Sequence, residues 1–163
     1  MVALRCTQRL LGRLHVATAL EPGESTTVLG DWYANVLIFD RRPFVMCTNE
    51  CSKLTVIVPF KESSTIRQRF RTAVGDLLQA IDIPPHAIKR ELSEMASVGY
   101  GRTRNRSLLG NMKDLVLPAE DWILDAPEAN LLDVAVRLSE HLVGPDPYIV
   151  PREMATKLLM GAA

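Results

Sequence analysis

The chain has 163 residues, with 19 lysines and arginines against 19 aspartates and glutamates, and 47% of its residues are hydrophobic. A domain of this length buries about 70% of its unfolded surface, so folding requires neither a disulfide nor a metal. The composition excludes a disordered or fibrous chain, a disulfide-stapled mini-protein and a uniformly basic nucleic-acid binder. The neutrality conceals a split: residues 1–113 carry 16 basic and 10 acidic side chains, whereas residues 114–163 carry 3 and 9. Either the basic part opens a face to anions, or the acidic stretch 114–146 packs over the arginines near Asn105 and neutralises them. No apolar run approaches the ~20 residues that span a bilayer. Arg5, Arg9 and Arg13 interrupt the N-terminal apolar positions, so no signal-peptide core is expected there. An odd set of three cysteines, Cys6, Cys47 and Cys51, fits a reduced, cytoplasmic setting.

In chain order, Ala3 to Thr7 reads as a short strand, and Thr7 can cap a helix with Leu10, Leu11 and Leu14 on one face. Glu21 to Ser25 has turn composition. The run Trp32 to Phe39 is continuously apolar apart from Asn35, which predicts a strand covered on both faces. Asp40 to Pro43 turns, Phe44 to Thr48 returns, Asn49 to Lys53 turns again, and Leu54 to Val58 completes a three-stranded meander. Ser63, Ser64 and Thr65 offer caps to a helix whose apolar face is Ile66, Phe70, Ala73, Val74, Leu77 and Ile81, with Arg67, Arg69, Arg71 and Asp76 on a solvated face.

Pro84 and Pro85 open a second helix through Ile88, Leu92 and Met95. Ser97 to Thr103 reads as a strand in which Gly99 and Gly101 imply a bulge or a close backbone approach. Asn105 caps a helix carrying Leu108, Leu109, Met112, Leu115 and Val116, which Pro118 is expected to end or break. An irregular acidic stretch around Trp122 follows. Pro127 then starts a helix closed by Gly144, and Pro151 starts a last helix with Met154 and Leu158. Together these elements predict a single α+β domain. Its mostly antiparallel sheet has about five strands, with the meander at 32–58, and is covered by four to six helices. Residues 1–113 form a basic body and 114–163 an acidic helical segment.

The segments R-C-T-x-R-L-L (Arg5 to Leu11), G-D-W-Y-A-N (Gly30 to Asn35), D-R-R (Asp40 to Arg42), T-N-E (Thr48 to Glu50) and N-R-S-L-L-G-N-M-K-D (Asn105 to Asp114) resemble a bacterial family of unknown function sometimes seen near plasmid-type or mobile-element genes. The resemblance covers most of residues 4–115 and brings no catalytic residues with it. It implies at most a protein-interaction role, such as that of a toxin–antitoxin partner.

The strongest candidate for chemistry is Arg102, Arg104, Asn105, Arg106 and Ser107 leading into a helix. A helix N-terminus presents unpaired N–H groups and partial positive charge, and arginines beside it favour phosphate or carboxylate. The expected ligand is therefore a phosphate-bearing molecule or nucleic acid, with help from Arg41, Arg42 or Arg5. Capping by Asn105 and Ser107 alone would explain the same residues. The alternative is a small hydrolase-like enzyme in which Asp31 and Glu50, at a shared end of the meander, form an acid–base pair with Arg5 or Asn35 orienting the substrate. Neither cofactor nor metal is expected, because Cys47-x-x-x-Cys51, Cys6 and the three histidines lack paired-ligand spacing. Phosphate-loop, dinucleotide, zinc-protease and nucleophile-elbow motifs are absent from the sequence.

Overall fold

The computed structural model describes residues 1–16, 21–125, 130–144 and 147–162. The chain order is β1 (Val2–Cys6), α1 (Gln8–Leu14), β2 (Trp32–Phe39), β3 (Arg42–Asn49), β4 (Thr55–Pro59), α2 (Ile66–Ala80), α3 (Pro85–Glu94), β5 (Val98–Arg102), α4 (Arg106–Asp125), α5 (Leu131–Glu140) and α6 (Pro151–Gly161). The strands form one sheet in the order β4-β3-β2-β1-β5.

This is an α+β domain, but the sheet is mixed and not mostly antiparallel. The meander β2-β3-β4 is antiparallel, and β1 runs parallel to both β2 and β5. The reason lies in the connections. A two-residue hairpin enforces antiparallel pairing, whereas α1 between β1 and β2, and α2 with α3 before β5, return the chain to the starting end of the sheet. Alternation within a strand leaves that choice open.

One face of the sheet packs on α1, α2 and α3, with Trp32, Val36, Val45, Cys47, Val56 and Val58 meeting Leu10, Phe70, Val74 and Leu77. Trp32 meets Phe70 edge-to-face at 5.3 Å between ring centres. The other face presents Tyr33, Phe44, Met46 and Ile57 to Leu108, Met112, Leu115 and Ala119 of α4. The double coverage of β2 follows from these two layers. Helix α5 contacts β4, α2 and α4, contributing Ala135 to the first layer and Val134 and Leu138 to the second.

Helix α4 runs through Pro118 to Asp125, contrary to the expected break. Proline removes one intrahelical bond, at a cost of about 3 kcal/mol. Leu115, Ala119 and Ile123 stay on one buried face across it, and burying large apolar side chains contributes about 1.5–3 kcal/mol each. Tertiary burial therefore wins, and the acidic stretch around Trp122 is helical. The start expected at Pro127 lies outside the described residues; α5 is capped by Asn130, whose side chain accepts from the Leu132 N–H. It ends at Glu140, before Gly144. In α6 the buried residues are Pro151, Ala155 and Leu159, the last two one position beyond the expected Met154 and Leu158.

The β2–β3 turn is also tighter than expected. Phe39 pairs with Arg42, leaving only Asp40 and Arg41 in the turn, both with positive φ. That is the geometry whose twist suits a two-residue hairpin. On α2, Arg67 is not merely solvated: its guanidinium lies 4.5 Å from the centre of the Tyr100 ring, and Arg71 Nε donates to the Leu92 carbonyl at 3.0 Å. Among the described residues, no helix is long and apolar enough to cross a membrane.

Candidate functional site

Parallel pairing sets Arg5 of β1 beside Tyr33 of β2 and Gly101 of β5, so all three lie on the α4 face of the sheet. Next to them, residues 21–31 form a loop that runs into β2. Gly99 and Gly101 admit Pro22 of this loop, since a Cβ on Gly101 would lie 2.4 Å from Pro22 Cδ. The close backbone approach suggested by these glycines is thus supplied by the chain itself.

From the other side, α3 holds the loop by Glu91, which is fully buried and accepts from the N–H groups of Val28 (2.8 Å) and Leu29 (3.2 Å). Burial raises the Glu91 pKa above the ordinary 4.5, with the two amides and Arg90 opposing. For a carboxyl shifted upward, the associated stability is fully present below 4.5 and is lost as pH rises through the higher folded value. Glu91→Gln retains an acceptor without the charge. The urea midpoint of that variant is expected to fall less between acidic and neutral pH than that of the parent. An identical slope would place the titration elsewhere.

The guanidinium of Arg5 is 3% exposed and has three partners. Nε donates to Asp31 Oδ2 at 2.6 Å, while Nη1 reaches the Arg102 carbonyl at 3.3 Å and Glu21 Oε2 at 3.5 Å. Burial pulls its pKa down, but the hydrogen bond and charge of Asp31 outweigh that and raise it. Asp31 Oδ1 accepts from Ser25 Oγ at 2.6 Å. Glu21 Oε2 also lies 3.8 Å from Arg104 Nη1, so two guanidiniums from distant segments converge on one carboxylate oxygen. Glu21 and Arg104 are both well exposed.

A second group adjoins the first. Glu50 Oε1 accepts from Asn105 Nδ2 at 3.0 Å and from the Tyr33 hydroxyl at 3.4 Å. Asn105 Oδ1 meanwhile accepts from the Leu108 N–H at 3.0 Å, so the expected cap forms and also ties α4 to the β3–β4 hairpin. Burial and the Glu50 charge raise the Tyr33 pKa, opposed by Arg5 and the Arg104 backbone amide. Lys53 Nζ donates to the Glu50 carbonyl, and burial lowers its pKa against the pull of Cys51 and Glu50. Burial, Glu50 and Asp31 raise the thiol of Cys51, Lys53 opposing. The protonated form that results is a poor nucleophile.

The structure therefore brings together Arg5, Asp31, Glu50, Arg104 and Asn105, along with the Arg102 carbonyl. Arg106 and Ser107 stand exposed on the first turn of α4. Arg41 and Arg42 lie at the far tip of the β2–β3 hairpin, about 20 Å along β2 from Tyr33 at 3.3 Å per residue. They do not join the cluster. Among the described residues, no ion pair links stretch 114–146 to Arg104 or Arg106; the counter-charge to Arg104 is Glu21. Cys6 and Cys47 are buried in the same core, whereas Cys51 is exposed on the hairpin. Desolvation pushes the Cys6 thiol up to about 12 and that of Cys47 well above its usual value.

Sequence reasoning missed Glu21 and Ser25, which read only as turn residues, and gave Tyr33 no link to Glu50. No local pattern reports the Arg5–Glu21 and Tyr33–Glu50 contacts, made across 16 and 17 residues. The family model described as Domain of unknown function (DUF6933) matches residues 3–154. No curated protein and no solved structure matches the chain.

Proposed function

Because the chain belongs to the DUF6933 family, a domain of unknown function, its role has to come from the site, and we propose that it binds a small phosphate- or carboxylate-bearing ligand. The carrying observation is the convergence of Arg5 and Arg104 on one oxygen of Glu21, at 3.5 and 3.8 Å. An exposed carboxylate held by two guanidiniums is an internal stand-in for an external anion, and Arg suits both phosphate and carboxylate. The start of α4 adds the partial positive charge of a helix N-terminus. An external anion displaces Glu21 while Arg5 stays fixed by Asp31.

A small ligand is favoured over nucleic acid because Arg41 and Arg42 stand at the opposite end of β2, so the basic residues do not line one track. Binding is also favoured over acid–base catalysis, since both oxygens of Asp31 are already hydrogen-bonded. The free thiols of Cys6, Cys47 and Cys51 accord with a reducing, cytoplasmic setting.

Calorimetric titration at low salt with inorganic phosphate, pyrophosphate and citrate tests the reading. At least one is expected to bind with Kd of about 1 mM or tighter, and more weakly as salt rises. Arg104→Ala is expected to cost about tenfold, the scale of a charged hydrogen bond. Glu21→Gln is expected to tighten binding up to about fivefold, since an exposed ion pair is worth up to about 1 kcal/mol. No binding by any of the three, or none altered by Arg104→Ala, would refute it.

A further inference from the structure

A cleft of about 420 Å³ lies between β2 and α4, next to the anion cluster. Its apolar walls are Leu37, Met46, Leu109, Met112 and Val116. On both sides it begins one structural repeat beyond the cluster. Asn35 follows Tyr33 on the same face of β2, and Thr7 follows Arg5 at the end of β1, each step being about 7 Å. Leu109 sits one turn after Asn105 along α4, about 5 Å on.

Thr7 and Asn35 supply the polar end of the cleft. Thr7 Oγ1 accepts from the Leu10 N–H as the cap of α1 and donates to Asn35 Oδ1 at 2.7 Å. With Oδ1 turned to Thr7, Asn35 Nδ2 has no hydrogen-bond partner among the described residues. A mostly apolar cavity of a few hundred Å³ with one oriented polar group is the usual form of a small-molecule site. Lys113, exposed at the rim, adds a further positive charge on the ligand's path.

We infer that the ligand is an amphipathic anion, an organic phosphate or carboxylate with its charged group at Arg104 and Arg5 and its ring-sized apolar body in the β2–α4 cleft, where Asn35 Nδ2 donates to a polar atom of that body. This rests on the anion-binding reading and specifies what the anion is attached to. The cleft supplies affinity by apolar burial, and Asn35 selects bodies that carry an acceptor.

Calorimetry with inorganic phosphate and phenyl phosphate separates the two readings. Phenyl phosphate is expected to bind about tenfold more tightly, the effect of burying one ring-sized apolar group. Leu109→Trp and Val116→Trp, at partly exposed wall positions, are each expected to abolish that advantage and leave inorganic phosphate unchanged. Pyridine-4-phosphonate, whose ring nitrogen is an acceptor, is expected to lose affinity with Asn35→Leu, whereas phenyl phosphate is not. If inorganic phosphate binds and the phenyl group adds nothing, or its advantage survives both tryptophan variants, this inference is overturned and the anion reading stands. If neither phosphate binds, both are overturned.

Discussion

Replacing Asn49 by Ala is expected to destabilise the protein by about 4 kcal/mol or more, because one fully buried side chain joins three segments. Asn49 Oδ1 accepts from the Ser52 N–H (2.7 Å), Ser52 Oγ (2.8 Å) and the Cys51 N–H (3.2 Å), and Nδ2 donates to the carbonyls of Leu29 (2.9 Å) and Asp31 (3.1 Å). The same side chain therefore shapes the β3–β4 hairpin and pins the loop that delivers Asp31 and, further back, Glu21. Each buried group left unsatisfied costs about 1–3 kcal/mol, so losing several takes a large share of a typical stability of about 5–15 kcal/mol. The urea midpoint measures this. Asn49→Asp keeps the acceptor but sets a charge against two carbonyls, and is expected to be destabilised as well. A loss below about 1 kcal/mol for the Ala variant would mean that water replaces the amide.

Arg5→Met is expected to cost about 3 kcal/mol. Breaking one half of a buried ion pair costs about 3–5 kcal/mol because the remaining charge stays desolvated. The lower end applies because the Asp31 side chain is 17% exposed, which lets water reach the orphaned carboxylate. The origin of the loss is checked by the double variant Arg5→Met with Asp31→Asn. Removing both charges leaves no buried orphan, so the double variant is expected to lose less than the two single losses combined. Simple additivity in urea unfolding would show that Arg5 acts through packing of its stem and not through its charge.

Much of the local structure was legible in the sequence. The bounds of β2, the Thr7 and Asn105 caps, the apolar face of α2 and the close approach at Gly99 and Gly101 each follow from periodicity or from the conformational demands of a single residue. The errors cluster where distant segments meet. Pro118 does not interrupt α4, because the sheet and α5 bury both sides of it. The parallel placement of β1 depends on helical crossovers, to which strand alternation is blind.

Within the candidate site, the sequence pointed to Arg5, Asp31, Glu50 and the Arg102–Ser107 segment, and the fold joined the first three to Arg104 and Asn105. It also set Arg41 and Arg42 apart from them. The neutral balance of 19 basic and 19 acidic residues left open whether the acidic C-terminal segment covers the arginines or leaves them exposed. Among the described residues, the ion-pair partner of Arg104 is Glu21, from a loop inside the basic body.

Residue order alone determined most of the strands and helices, the continuation of α4 past Pro118 excepted, since backbone preference and apolar spacing act within a few residues. Only tertiary structure decided which charges face one another, because a guanidinium's partner depends on where crossovers and loops return the chain. That placement puts Glu21 between Arg5 and Arg104, and the cleft beneath α4 one step beyond.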